Sequence, residues 1–188
     1  MKTYTSLPRI EEELIYLNVK VVTSETIKKL YPDKSTNTLR GIIRRLLKQG
    51  RIGRLKKGQY ELKTNPLSTF EKANVLYSPS YISLESALNF YGILPQFPHV
   101  ITSVTPLHSK KIQLEQTYEY SRIQSELYTD FVKEERFLIA TPEKALADML
   151  YFASKGLRKV NIDEYDFSQI DLKSMTEKYP WVKNYVKR

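Results

Sequence analysis

Apolar positions in the first third of the chain recur at helical spacing and then give way to alternation. Leu7, Ile10, Leu14 and Leu17 share one face of a helix predicted over residues 8–17. Glu11 to Glu13 are expected near its start, where the helix dipole favours negative charge. Thr23 or Ser24 caps a short second helix that runs through Leu30. Pro32 stops it, because proline pushes the preceding residue out of the helical region. Ser35 or Thr36 caps a third helix, with Leu39, Ile42, Ile43, Leu46 and Leu47 as its apolar stripe. At about 100° per residue, the opposite face carries Asn37, Gly41, Arg44 and Lys48, flanked by Arg40 and Arg45. Gly50 ends this helix as a left-handed cap. Residues 51–55 and 59–63 are β-favouring stretches either side of Lys56-Lys57-Gly58, which is a hairpin signal.

Thr64-Asn65-Pro66-Leu67-Ser68 is a polar, proline-bearing boundary. Ser68 is read as the cap of a helix to about Tyr77, broken by Ser78-Pro79-Ser80. Ser83 caps the next helix, over residues 84–91, and Gly92 stops it. Residues 100–104, 112–123 and 136–140 read as strands, rich in apolar, β-branched and aromatic residues. Thr141-Pro142-Glu143 joins a cap, a first-turn proline and an acid at the positive end of the dipole, starting a helix to about Ala153. Helices are expected around residues 172–178 and 181–186, and no internal repeat is present. The pattern predicts an α+β protein: an N-terminal winged helix-turn-helix domain over residues 1–65, then an α+β domain over residues 66–188.

Composition excludes several classes. A hydrophobic content of 41% suits a packed core and not a disordered chain. No cysteine is present, which removes disulfide frameworks and thiolate metal sites and fits the reducing cytoplasm, where the protein is expected. The opening stretch from Met1 to Arg9 lacks an apolar signal core. No apolar run approaches the roughly 18 residues of a membrane span. The six glycines include no phosphate-cradling loop, and no cofactor is expected.

Charge changes the picture more. Residues 1–63 hold 15 Lys+Arg against 6 Asp+Glu, a difference of +9, whereas residues 64–188 hold 15 of each. From Lys34 to Lys57 the basic residues are Lys34, Arg40, Arg44, Arg45, Lys48, Arg51, Arg54, Lys56 and Lys57, with no acid among them. Solubilising faces usually mix both signs, so the run points to a polyanion. An interfacial membrane helix would carry Trp, Phe or Leu on the side opposite its stripe, and this one does not. In a winged helix the third helix enters the major groove with its N-terminal residues toward base edges. Asn37 suits bidentate pairing with adenine, and Arg40 or Arg44 with guanine. Lys48, Arg51, Arg54, Lys56 and Lys57 suit phosphates, and Lys34 and Thr36 complete the expected set at the helix start. Gly41 has two readings: it admits a base or phosphate, or it lets the second helix pack closely. The segment lacks the aromatic platform that single strands favour, so duplex DNA is the expected partner.

The residues then carry a family pattern. The basic N-terminal segment is followed by Tyr81-Ile82-Ser83-Leu84-Glu85-Ser86-Ala87-Leu88-Asn89-Phe90-Tyr91-Gly92-Ile93 and a strand pair. Ala140-Thr141-Pro142-Glu143-Lys144-Ala145-Leu146-Ala147-Asp148-Met149-Leu150 comes next. In that order, over residues 1–155, the sequence resembles the AbiEi-type antitoxins, transcriptional regulators of bacterial toxin–antitoxin and abortive-infection systems. The tail after Ser154 is short for the family. The resemblance implies an antitoxin that binds operator repeats to repress its own operon. It also implies counteraction of a nucleotidyltransferase-like toxin, by contact or functionally.

Other motifs invite chemistry. Glu143, Lys144 and Asp148 have catalytic residue types, but Glu143 suits the helix dipole, and Lys144 with Asp148 reads as an i,i+4 pair of small stabilising effect. Ser86 and Ala87 read as small residues at a close helix contact. His99 and His108 lack an obvious third metal ligand. Tyr118, Tyr120 and Tyr128 mark either a partner surface or a half-buried sheet. Two other functions remain open: a nucleic-acid-anchored enzyme, and an adaptor whose basic face binds an acidic protein.

Overall fold

Pro8 stands in the first turn of helix α1 (Leu7–Tyr16), where its missing N–H removes no hydrogen bond. The structure is a computed structural model that describes residues 6–168 and 170–186, so the opening residues Met1 to Thr5 lie outside it. The chain divides into two compact units, one reaching Ser68 and the other beginning at Thr69. It is a mixed α and β protein, with sheets of three and six strands among the described residues.

In the first unit, α1 leads to a two-residue strand β1 (Val21–Val22), then helices α2 (Ser24–Leu30) and α3 (Thr36–Lys48). Strands β2 (Ile52–Lys56) and β3 (Gln59–Leu62) follow as an antiparallel hairpin. The sheet order is β1-β3-β2, all antiparallel. The helix starts have chemical causes. Thr23 Oγ1 accepts from the Thr26 N–H at 3.1 Å, while Thr26 Oγ1 accepts from the Thr23 N–H at 3.3 Å. Ser35 Oγ accepts from the Thr38 N–H at 3.3 Å. Gly50 ends α3 at φ 67°, and the Arg51 N–H closes back on the Leu46 carbonyl at 3.0 Å. Leu39, Ile42, Ile43 and Leu46 of α3 are buried with Ile10 and Leu14 of α1, Ile27 of α2 and Ile52 and Leu62 of the hairpin.

Two details of α1 differ from the sequence expectation. The helix starts at Leu7, so Glu11 to Glu13 fall beyond its first turn, and Leu17 stands exposed at the C-cap. The acids act elsewhere. Glu11 is buried and takes hydrogen bonds from Arg51 and from Thr64 Oγ1, and Glu13 accepts from the Tyr31 hydroxyl. Strand β1 has no signature in the sequence, since two residues are too few to show alternation.

The second unit opens with α4 (Thr69–Leu76), β4 (Tyr81–Ile82) and α5 (Leu84–Phe90). Strands β5 (Val100–Thr105), β6 (Lys110–Gln113) and β7 (Thr117–Arg122) follow. The hairpin of β8 (Phe131–Glu134) and β9 (Phe137–Ala140) leads into α6 (Pro142–Ser154), and α7 (Leu172–Lys178) and α8 (Lys183–Val186) close the chain. The six-stranded order is β6-β7-β5-β4-β9-β8, with β5·β7 and β4·β9 parallel and the other pairs antiparallel. The single strand expected over residues 112–123 is a hairpin, and β4 and β8 are additional. No helix among the described residues is long and apolar enough to cross a membrane.

Candidate nucleic-acid interface

The inward stripe of α3 fixes what its outer face presents. With Leu39, Ile42, Ile43 and Leu46 buried, Thr36, Asn37, Arg40, Arg44, Arg45 and Lys48 are exposed and Gly41 is half-buried. Asn37, Gly41, Arg44 and Lys48 form one ridge along that face, since residues three and four apart are neighbours on a helix. Lys34 is exposed just before the helix, and Arg54 and Lys57 are exposed on the hairpin. Gly58 turns the hairpin at φ 76°, and the pairing register shifts between Arg54 and Lys56. Lys34, Arg40, Arg44, Lys48, Arg54 and Lys57 make no ion pair among the described residues. Such a face repels itself and attracts anions.

Arg51 and Lys56 stand apart from that set. The Arg51 guanidinium is half-buried, pairs with the buried Glu11 carboxylate and donates from Nε to Gln49 at 3.1 Å. Arg51 therefore holds the base of the hairpin against α1, and its charge is compensated within the fold. Lys56 is half-buried and engaged. The two readings of Gly41 also separate: a Cβ added there would meet nothing within 4 Å, so helix packing does not require the glycine.

In the second unit, the Thr141-Pro142-Glu143 start forms as expected, with Thr141 Oγ1 accepting from the Lys144 N–H at 3.3 Å. The i,i+4 pair in the same helix forms too, but it is no minor surface contact. Lys144 and Asp148 are both fully buried, with Nζ to Oδ1 at 2.6 Å. Lys144 also donates to the Leu127 carbonyl at 2.7 Å, and its ammonium lies 5.7 Å from the Tyr179 ring centroid. The other Asp148 oxygen accepts from the Tyr81 hydroxyl at 2.9 Å and from Ser83 Oγ at 2.8 Å. Burial, with the carboxylate beside it, pushes the Tyr81 phenol far above its ordinary value, so it remains a donor. Ser83 occupies the N-cap position of α5, but its hydroxyl serves Asp148. Thr102 Oγ1 of β5 supplies the cap, accepting from the Ser86 N–H at 3.0 Å, while Ser86 Oγ accepts from the Thr102 N–H at 2.8 Å.

Compared with protein-family models and with curated proteins, this chain matches none.

Among the described residues no three His, Cys, Asp or Glu side chains converge as metal ligands. Of the three tyrosines that could mark a partner surface, Tyr118 and Tyr120 are buried, and the Tyr120 hydroxyl donates to the Ala73 carbonyl of α4 at 2.7 Å. Tyr128 is half-buried against the Tyr81 and Phe131 rings, and burial pushes its phenol up to about 12. The sheet reading holds for Tyr118 and Tyr120 in β7, whereas Tyr128 lies in no strand and follows a short 3-10 turn over Ser125–Leu127. Arg158, reached by no sequence argument, pairs with Glu85 and Glu119 and donates to Ser121 Oγ, fastening the segment after α6 to β7. An isolated arginine in a loop gives no signal of such a role.

Proposed function

We propose that the first unit is a winged helix-turn-helix that binds duplex DNA, with α3 as the recognition helix and the β2–β3 hairpin as the wing. The observation that carries this reading is the outer face of α3, where Arg40, Arg44, Arg45 and Lys48 are exposed and no acid lies anywhere from Lys34 to Lys57. A helix of this width fits a major groove, and Asn37, Arg40 and Arg44 have the donors and acceptors that base edges require. Arg45, Lys48, Arg54 and Lys57 are the phosphate contacts that set orientation; Lys34 and Thr36 border the face at the helix start.

With the likeness of the Tyr81–Ile93 and Ala140–Leu150 segments to AbiEi-type antitoxins, the chain reads as a cytoplasmic DNA-binding transcription regulator. In this reading it represses its own operon through operator repeats and counteracts a nucleotidyltransferase-like toxin. No catalytic residue is assigned to it. The test is binding of the full chain to the DNA upstream of its own coding sequence and to an unrelated duplex of equal length. Tighter binding to the upstream DNA is expected, with Arg44→Ala weakening that binding more than binding to the unrelated duplex, and Lys57→Ala weakening both alike. Equal binding of the unaltered chain to both duplexes defeats the reading.

A further inference from the structure

We infer that Gly41 is the point of closest approach between α3 and base-pair edges on the floor of a major groove. This rests on the DNA-binding reading above and adds a residue that shapes the fit.

Glycine inside a helix is unfavourable relative to alanine, because it loses more backbone freedom on folding. A fold keeps one there when something local requires it. Of the six glycines in the chain, Gly50, Gly58, Gly92 and Gly156 have positive φ, a conformation that side chains disfavour. At Gly53 an added Cβ would lie 2.6 Å from Lys63 Cε, the far end of a flexible side chain that can swing aside. Gly41 has neither a positive φ nor any close neighbour. It lies well inside α3, between the N-cap Ser35 and the C-cap Gln49, and its Cβ would enter open space. The Arg45 Nε bond to the Gly41 carbonyl, at 3.4 Å, needs no glycine, because no Arg45 side-chain atom comes within 4 Å of the added carbon. The fold alone would be served better by alanine.

The position explains what the fold does not. Gly41 stands mid-ridge, four residues after Asn37 and three before Arg44. A major groove about 12 Å wide barely admits a helix with its side chains. The middle of the outward ridge then faces the groove floor, while Arg45 on its flank faces a phosphate rim. Without a side chain at the centre the helix axis sinks closer to the base pairs, and Asn37 and Arg44 reach their edges from either side.

The experiment compares the full chain with Gly41→Ala and Gly41→Leu, both good helix formers. The probes are the duplex that the unaltered chain enriches from a randomised library and an unrelated duplex of equal length. Binding is read by fluorescence anisotropy at fixed salt, and stability by thermal unfolding. Gly41→Ala is expected to raise the unfolding midpoint yet weaken binding to the enriched duplex about tenfold, the scale of one lost base contact. Gly41→Leu weakens it further, and both variants hold the unrelated duplex as the unaltered chain does. Full-strength binding of the enriched duplex by Gly41→Ala overturns the inference and leaves the DNA-binding reading standing. Equal losses on both duplexes overturn it too, because they place the contact on phosphate. A lowered unfolding midpoint overturns it by showing that the glycine serves the fold. If the unaltered chain enriches no duplex, the DNA-binding reading itself fails.

Discussion

Asp148 shows how far one residue's surroundings depart from its sequence neighbourhood. Its carboxylate is fully buried and holds bonds from Lys144, Tyr81 and Ser83. Removing one charge of such a pair strands the other in a medium that solvates it poorly. Asp148→Asn is therefore expected to destabilise the protein by about 3–5 kcal/mol, measured by chemical denaturation. Adding Lys144→Met removes the stranded ammonium, while the introduced amide still offers an oxygen to Tyr81 and Ser83. The double variant should be more stable than Asp148→Asn alone; if the two effects simply add, the charge is not what holds the cluster together. The i,i+4 spacing of the pair is legible in the sequence, and so is its helix. Its burial is not, because Tyr81 and Ser83 come from 67 and 65 residues away and only the sheet topology brings them under α6. Arg51 leaves the expected phosphate set for a similar reason. Its partner Glu11 is 40 residues distant, and a charge run read along the chain cannot show which cation is already paired.

Among elements, α3 is the most legible, since its stripe, cap and terminal glycine all agree. Strands are less so where their turns lack the usual residues. The β6–β7 turn runs through Leu114-Glu115-Gln116, with the Leu114 N–H bonded to the Gln116 carbonyl at 3.1 Å, and contains no Gly, Pro, Asn or Asp. Strand β8 is flanked by Asp130 before it and Glu135 in the β8–β9 turn, both at positive φ without being glycine. Asp130 has a further role: it accepts from Lys178 Nζ at 2.5 Å and from the Tyr179 hydroxyl at 2.7 Å, tying the end of α7 to the start of β8. Burial pushes its carboxyl up, but the bonds from Lys178, Tyr179 and Thr129 outweigh that and hold it below its ordinary value of 3.8. A depressed carboxylate stabilises the fold above its unfolded value and loses that contribution as pH falls through the folded value. Asp130→Asn should therefore lower the unfolding midpoint at neutral pH, and the gap to the unaltered chain should close in acid. Lys178 is largely exposed, so solvent screening limits the effect to about 1 kcal/mol or less. A gap that stays constant from neutral pH to below 3.8 would show that the charge on Asp130 contributes nothing.

For the whole molecule, the division of charge between the two units is as informative as any residue. The unit ending at Ser68 carries 15 Lys+Arg against 6 Asp+Glu, and the rest of the chain carries 15 of each. Counterion release ties DNA affinity to salt, with a slope of log K against log salt of about −0.9 for each phosphate neutralised. If the first unit makes the contacts, only its cations set that slope. Lys57→Ala should flatten it by about one unit, because Lys57 is exposed and makes no ion pair among the described residues. Lys110 and Lys111 are equally exposed, on β6 in the second unit, and a variant with both changed to alanine should keep the slope of the unaltered chain. Titrations of one duplex over a range of salt concentrations separate the cases. If the Lys110/Lys111 variant flattens the slope as much as Lys57→Ala does, the polyanion spans both units, and the concentration of positive charge between Lys34 and Lys57 is not its binding footprint.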